Sequence, residues 1–249
     1  MPLPRIAYTE SSLPGSRREA IRLAQRHGLA LEVEDWGTMD FAFYEQTGLT
    51  ITTVQACRLK HDPPTAPGRR ERRRAIDHIE HAIENADRLG ARQILTIAAY
   101  GRTVADHAFD RALDAFDRAA RRGRELGVRI LVEPLSPRRS PVFHEPQVVI
   151  ELLRTLDQPE SFGLALDTGH LLDGELDPVE VIRDIDTPIS ELQLRGADST
   201  PPEPEPATEW VNTALSTLAP EGIFAVEHRE PTTPEDCGNL IAALRETLG

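Results

Sequence analysis

Cysteine is scarce. The chain of 249 residues holds two, Cys57 and Cys237. Two thiols cannot staple a fold of this size, and neither stands in a CxxC pair that could grip a metal. Long apolar runs are missing as well. The longest, over residues 94–100, falls far below the ~20 residues of a membrane helix. The opening MPLPRIAYTE has no apolar core of a signal peptide. These absences predict a reducing, cytoplasmic compartment and no membrane partner. Positive charge is outnumbered, 28 Lys and Arg against 41 Asp and Glu, for a net charge of −13. Such a balance does not suit the neutralisation of phosphates, so no nucleic-acid partner is expected. A nucleotide loop is also absent: after the first strand the chain reads Thr9-Glu10-Ser11-Ser12-Leu13-Pro14-Gly15, with neither GxGxxG nor a P-loop.

What is present is a regular alternation. Short β-rich runs fall at 5–9, 29–35, 49–56, 93–99, 129–134, 163–167, 191–195 and 223–227. Amphipathic stretches fall between and after them, at 15–27, 39–47, 70–89, 104–126, 145–156, 178–185, 208–218 and 234–248. In the fourth stretch Ala105, Ala108, Ala112, Ala115, Phe116 and Ala119 draw an apolar stripe of period near 3.6. Gly28, Gly90, Gly127 and Gly222 each stand just before a strand, where a left-handed residue ends a helix. Strict β–α alternation implies a parallel sheet, and eight units are the number that closes a barrel. The expectation is an α/β fold, a (β/α)₈ TIM barrel, with residues 1–249 as one domain. Two segments are biased. Arg69-Arg70-Glu71-Arg72-Arg73-Arg74 opens the third helix, and residues 201–206, PPEPEP, precede the seventh. The second is too rich in proline for helix or strand and is expected to be a stiff, extended loop.

In such a barrel the C-terminal strand ends face the active site. Strands five to eight end in Glu133, Asp167, Gln193 and Glu227, each after an apolar run. Buried carboxylates that converge must be paired. A cation between three carboxylates and an amide oxygen would pair them, and all-oxygen donors suit one divalent ion such as Mg²⁺ or Mn²⁺. A ring of salt bridges with loop arginines is the alternative, and for Gln193 the alternative is a neighbour that only hydrogen-bonds the other ligands or water. His228 follows Glu227, so strand alternation turns it toward the helices. His78 and His81 sit among charges and read as a solvated helix face. Cys57 ends the third strand without a His or Asn beside it, which argues against a nucleophile. Glu34, Asp35 and Trp36 end strand two near the pocket floor. The arginine run reads either as a solvated face or, with Arg58, Lys60, Arg138 and Arg139, as a cationic rim that would suit a carboxylate-bearing substrate.

The segments VEPLSP, LALDTGH, LQL and AVEH, in that order, resemble the xylose isomerase-like superfamily of TIM barrels. The likeness in architecture covers the whole chain, and its specific part spans 130–228. The resemblance implies one divalent metal on Glu133, Asp167, Gln193 and Glu227. Gln in place of the commoner His on strand seven is similar to the hydroxypyruvate isomerase branch. His170 matches a position that contacts a substrate oxygen in relatives. The implied activity is an isomerase or epimerase acting next to a carbonyl on a small sugar, polyol or hydroxy-keto acid. Glu133 and Glu227 would move the proton and His170 would assist. A dehydratase similar to the 3-dehydroshikimate or inosose enzymes shares the first step. An apurinic endonuclease fits less well, because strands three and four end in Gln55-Ala56 and Ala99-Tyr100 and not in histidines. A non-catalytic scaffold barrel is disfavoured by the four intact donor positions, and a homo-oligomer is compatible with all of this. Two departures stand out. PPEPEP replaces a PGEG-like loop, and Ser199 stands where some ketose epimerases carry an arginine. The loop at 201–206 is expected to overhang the metal as a lid.

Overall fold

The computed structural model describes residues 6–101 and 105–249. The ends of the expected elements that reach Arg5 and Val104 therefore lie outside the described residues. The elements run in the order β1 (Ile6–Thr9), α1 (Arg17–Arg26), β2 (Ala30–Asp35), α2 (Phe41–Thr47), β3 (Ile51–Ala56), α3 (Arg69–Leu89), β4 (Gln93–Ile97) and α4 (Ala108–Leu126). Then follow β5 (Arg129–Glu133), α5 (Pro146–Leu156), β6 (Phe162–Asp167), α6 (Thr168–Asp173), α7 (Pro178–Asp184), β7 (Ile189–Leu194), α8 (Pro204–Ala214), β8 (Leu218–Val226) and α9 (Pro234–Leu248). All strands pair in parallel with their sequence neighbours, and β8 closes on β1 with Val226 opposite Tyr8. The result is a single (β/α)₈ barrel.

Local chemistry explains most boundaries. Ser16 and Glu19 form a capping box at α1, and Thr233 with Asp236 forms another at α9. Gly90 closes α3 at φ 75°, the left-handed turn that sends the chain straight into β4. Gly222 behaves otherwise. It lies inside β8, beside a register shift against β7, and terminates no helix. The proline-rich segment also differs from expectation, because Pro204 is already the first residue of α8. A proline at that position loses no hydrogen bond, since the first helical N–H groups have no partner in the helix anyway. The short α6 adds a helix that the β–α alternation does not show. One turn and a half is too brief to show a hydrophobic period.

Outward-facing residues such as Leu31, Val54, Ile94, Ile130 and Leu192 join the helices in the main core. The barrel interior is different. Its apolar content is two small clusters, Ala7, Ala30, Ile223 and Ala225 in one, Leu95, Leu131 and Ala165 in the other. The remaining inward positions include Thr9, Glu32, Thr53, Gln93, Glu191 and Gln193, all buried. Among the described residues no helix is long and apolar enough to cross a membrane.

Candidate metal centre and active site

The segment Leu166-Asp167-Thr168-Gly169-His170 builds the centre. Asp167 ends β6 and caps α6, its Oδ1 accepting from the His170 N–H at 3.0 Å. The helix thus begins with no loop and brings His170 back beside its own strand end. Gly169 is required there. A Cβ on it would stand 2.5 Å from Arg195 Nε and 2.6 Å from the Gly196 carbonyl. Glu133 arrives on β5. Ligand atoms of Glu133, Asp167 and His170 all lie within 4.8 Å of one another, and all three residues are buried. His170 Nε2 stands 3.7 Å from Glu133 Oε1, too far for a hydrogen bond. Its Nδ1 is buried without a partner.

Arg195, two residues past Gln193, enters the same site. Its Nε donates to Asp167 Oδ1 at 3.1 Å and its Nη1 to Ser199 Oγ at 2.8 Å. This guanidinium is almost fully enclosed, and its Nη2 has no acceptor. Burial pushes the Glu133 carboxyl well above its usual range, and the charges of Asp167 and Glu227 add to the shift. Burial, then Arg195, Arg139 and Lys60, hold His170 well below its ordinary value, so its imidazole is neutral at pH 7.

The other two predicted donors are placed differently. Glu227 lies just past β8 and lines the same cavity as Glu133, Asp167 and His170, but is not part of their three-residue group. Its Oε2 accepts from Gln55 Nε2 at 3.0 Å and its Oε1 from Arg229 Nη2 at 3.3 Å. Gln193 is completely buried, with Nε2 directed to both carboxylate oxygens of Glu32 at 3.1 Å. Its Oε1 accepts nothing. An acceptor sealed without a donor is costly, and a cation would satisfy it. The donor chemistry therefore fits a divalent ion. An imidazole within the three-residue group widens the range of metals beyond those that favour oxygen alone.

The cavity measures about 40 Å³ and is walled by Gln55, Cys57, Lys60, Tyr100 and Arg139 besides the acidic set. Several expectations change here. His78 is buried on α3, not solvated, and its Nε2 accepts from the Arg58 N–H at 3.2 Å. Burial lowers its pKa to about 4. Of the expected cationic rim, Lys60 and Arg139 reach the cavity. The arginine run is spent on local contacts: Arg72 on the carbonyls of Ala66 and Pro67, Arg73 on Asp77, and Arg74 on Asp62. No residue of 201–206 lines this cavity. Pro201, Pro202, Glu203 and Pro204 instead edge a separate hollow with Tyr8, His228 and Cys237. His228 thus faces the helix side, with Nδ1 2.9 Å from the Glu230 carbonyl. Burial pushes the Cys57 thiol up, which leaves it protonated and no nucleophile. Asp35 turns away from the pocket to Asn85 of α3, whereas Glu34 accepts from Arg229 near the mouth.

Sequence reasoning gave no role to Arg195, Glu32 or Glu191. The signal was in the strand period: 191, 193 and 195 share a face, as do 30, 32 and 34.

The model of the xylose isomerase-like TIM barrel family matches residues 41–246. The chain belongs to this family. No curated protein matches the sequence. Among solved structures, L-ribulose 3-epimerase superposes with a TM-score of 0.78 at 15% identity, over 99% of this chain and 96% of that one. The IolI protein with a bound zinc atom gives 0.76 at 15% identity, over 98% and 96%. An AP endonuclease of family 2 from Brucella melitensis gives 0.73 at 19% identity, over 94% and 96%. At these identities the likeness is one of fold.

Proposed function

We propose that this xylose isomerase-like barrel is a divalent-metal-dependent isomerase or epimerase. It would shift a proton next to a carbonyl on a small sugar, polyol or hydroxy-keto acid. The observation that carries the reading is the meeting of Glu133, Asp167 and His170 in a cavity that Glu227 also lines. The fold likeness to L-ribulose 3-epimerase and to zinc-bound IolI supports it.

Glu133, Asp167, Gln193 and Glu227 would hold the ion, with the unsatisfied Gln193 Oε1 as the most telling of the four. When bound, the metal supplies Lewis-acid polarisation of the substrate carbonyl. The proton work then belongs to the chain. Hydrogen abstraction needs a base within hydrogen-bond reach of the carbon acid. Glu133 on β5 and Glu227 after β8 are the carboxylates on the cavity wall placed for it. Gln55 and Arg229 fix the orientation of Glu227 by holding one oxygen each. One glutamate removes the proton. In an epimerase the other returns one to the opposite face. In an isomerase the same group or a neighbour returns it to the adjacent carbon. His170, neutral and uncommitted at Nδ1, can hydrogen-bond the substrate oxygen as charge develops there.

Glu133→Gln and Glu227→Gln test this separately, in D₂O with Mn²⁺ and a panel of small ketoses and keto acids. At least one variant should lose deuterium exchange into substrate while still binding metal. Parent-rate exchange in both would overturn the assignment of the proton. Loss of water from the substrate would show a dehydratase.

A further inference from the structure

Two cations at the cavity have no carboxylate in contact. Arg195 is spent on Asp167, and Arg229 on Glu34 and Glu227. Arg138 pairs with Asp198 and Asp173 outside the cavity. Lys60 and Arg139 line the cavity, and among the described residues neither has a carboxylate within 4.0 Å. The undescribed residues are MPLPR and RTV, so none of them carries a carboxylate.

Both cations are held in place by the fold. Lys60 ends the short 3₁₀ turn Cys57–Lys60, and His78 anchors that turn by accepting from the Arg58 N–H. Its ammonium lies 5.4 Å from the centre of the Trp36 ring, an aromatic face that steadies it without neutralising it. Arg139 sits in the loop after β5. Its N–H donates to the Ser136 carbonyl at 2.9 Å and its carbonyl accepts from the Gly101 N–H at 2.7 Å. Its Nη2 reaches Ser199 Oγ at 3.3 Å, the same hydroxyl that takes Arg195 Nη1. Ser199 therefore ties the loop arginine to the metal-side arginine.

We infer that Lys60 and Arg139 form an anion subsite, so that the substrate presents a carboxylate or phosphate to them while its carbonyl end meets Glu133, Asp167 and His170. The inference rests on the proposed function for its orientation, but the subsite itself does not need the metal. A neutral polyol would leave two half-buried cations unpaired in a narrow cavity, which is unfavourable. An anionic group offers them charge-assisted hydrogen bonds and fixes the rest of the molecule relative to the base.

Isothermal titration on the full-length protein tests the subsite, with and without Mn²⁺. Four probes separate the chemistries: glycerate, glycerol, glycerol phosphate and inorganic phosphate. Glycerate or glycerol phosphate should bind at least about tenfold tighter than glycerol. Lys60→Gln and Arg139→Gln should each weaken the preferred anion about five- to tenfold and leave glycerol binding and Mn²⁺ stoichiometry unchanged. The preferred anion then names the group, carboxylate or phosphate. As a check independent of variants, its affinity for the parent protein should fall severalfold from about 50 to about 500 mM salt. Anion binding that ignores both substitutions and salt would overturn the subsite. Failure to bind Mn²⁺, with anion binding still dependent on Lys60 and Arg139, would overturn the proposed function and leave the subsite standing.

Discussion

Glu32 and Glu191 are buried in the barrel as Glu133 and Asp167 are, yet the two layers treat their charge in opposite ways. In the inner layer the protein supplies donors to every carboxylate oxygen except Glu191 Oε1. Glu32 accepts from Thr9 Oγ1 at 2.9 Å and from Gln193 Nε2, and Glu191 accepts from Thr53 Oγ1 at 2.5 Å and Gln93 Nε2 at 2.8 Å. Glu191 Oε1 is buried and accepts nothing, and the charge of Glu191 acts directly on Glu32. Burial and the charges of its neighbours Glu191 and Glu227 hold Glu32 well above the usual carboxylate range, and burial raises Glu191 to about 7. In the outer layer Asp167 has donors on Oδ1 alone, and Glu133 meets His170 only at 3.7 Å. Burial by itself therefore does not mark a functional carboxylate. The mark is a buried carboxylate on the wall of a cavity, as Glu133, Asp167 and Glu227 are and Glu32 and Glu191 are not.

The largest effect should come from the outer layer. Asp167→Ala removes a central acceptor of the acidic group and leaves Arg195 facing the gap, so metal uptake should fall by more than about 100-fold. Metal analysis after dialysis reads this, with far-UV circular dichroism showing the barrel intact. Retained metal would mean that the layers differ less than their hydrogen bonds suggest. Glu191→Gln is the counterpart and should leave metal content unchanged.

That inner substitution should instead act on stability. A carboxyl whose folded pKa lies above its unfolded value keeps its proton in the folded state longer than in the unfolded one. Stability is then lost as pH rises from the unfolded value of about 4.3 toward 7. Glutamine preserves the acceptor for Thr53 and Gln93 and offers Glu32 a donor without titrating. The variant should therefore gain about 1–3 kcal/mol at pH 8 and lose the slope between pH 5 and 7. Urea unfolding across that range checks it. A destabilised variant at pH 8 would show that the buried charge is compensated in a way these contacts do not reveal.

The order of the layers follows from features that differ in how locally they are encoded. Strand-end carboxylates are legible because a strand has period two and a barrel fixes which end faces the site. Glu133, Asp167 and Glu227 needed nothing more. Gly90 and Gly127 announce strand starts by local backbone geometry, so the eight units could be counted. Gln193 was legible as an inward residue, but its turn toward Glu32 depends on a strand 161 residues away in sequence. Arg195 on Asp167 is equally non-local. His78 illustrates a misreading of another kind. Its charged neighbours suggested solvent, yet 75, 78, 79, 82, 83 and 86 make the buried stripe of α3. Helical position outweighs the company of charged residues.

His78 also lets the pH response of the two layers be separated from the rest of the chain. Its folded pKa of about 4 lies below the ordinary histidine value, so the unfolded chain takes up a proton that the folded one refuses. The stability it supports is present above about 6.5 and is lost as pH falls toward 4. His78→Gln should flatten that acid limb and cost about 1 kcal/mol at pH 7 through the hydrogen bond to the Arg58 N–H. The high-pH slope assigned to Glu191 should not move. If it does, the two titrations are not independent, and Glu191 alone does not set the high-pH slope.

The smallest expected effect decides between two ways of completing the outer layer. The strand-end pattern gives the metal Glu133, Asp167, Gln193 and Glu227, and leaves His170 for the substrate. The structure brings His170 closer to Glu133 and Asp167 than that pattern requires. The imidazole lies on one side of Glu133 with Nδ1 unspent, while Gln193 Oε1 is buried and unsatisfied. If the ion uses the amide oxygen, His170→Asn should change Mn²⁺ affinity by no more than about threefold, whereas loss of a true ligand costs tenfold or more. Gln193→Leu is the reciprocal change: it removes the acceptor and also the donor to Glu32. It should weaken Mn²⁺ by at least tenfold on the same reasoning. The readout is a competition titration of each variant against a chelator. A weakened His170→Asn beside an unaffected Gln193→Leu would transfer the ligand from strand seven to the first turn of α6. The outer layer would then be defined by one continuous segment, 167–170, together with Glu133.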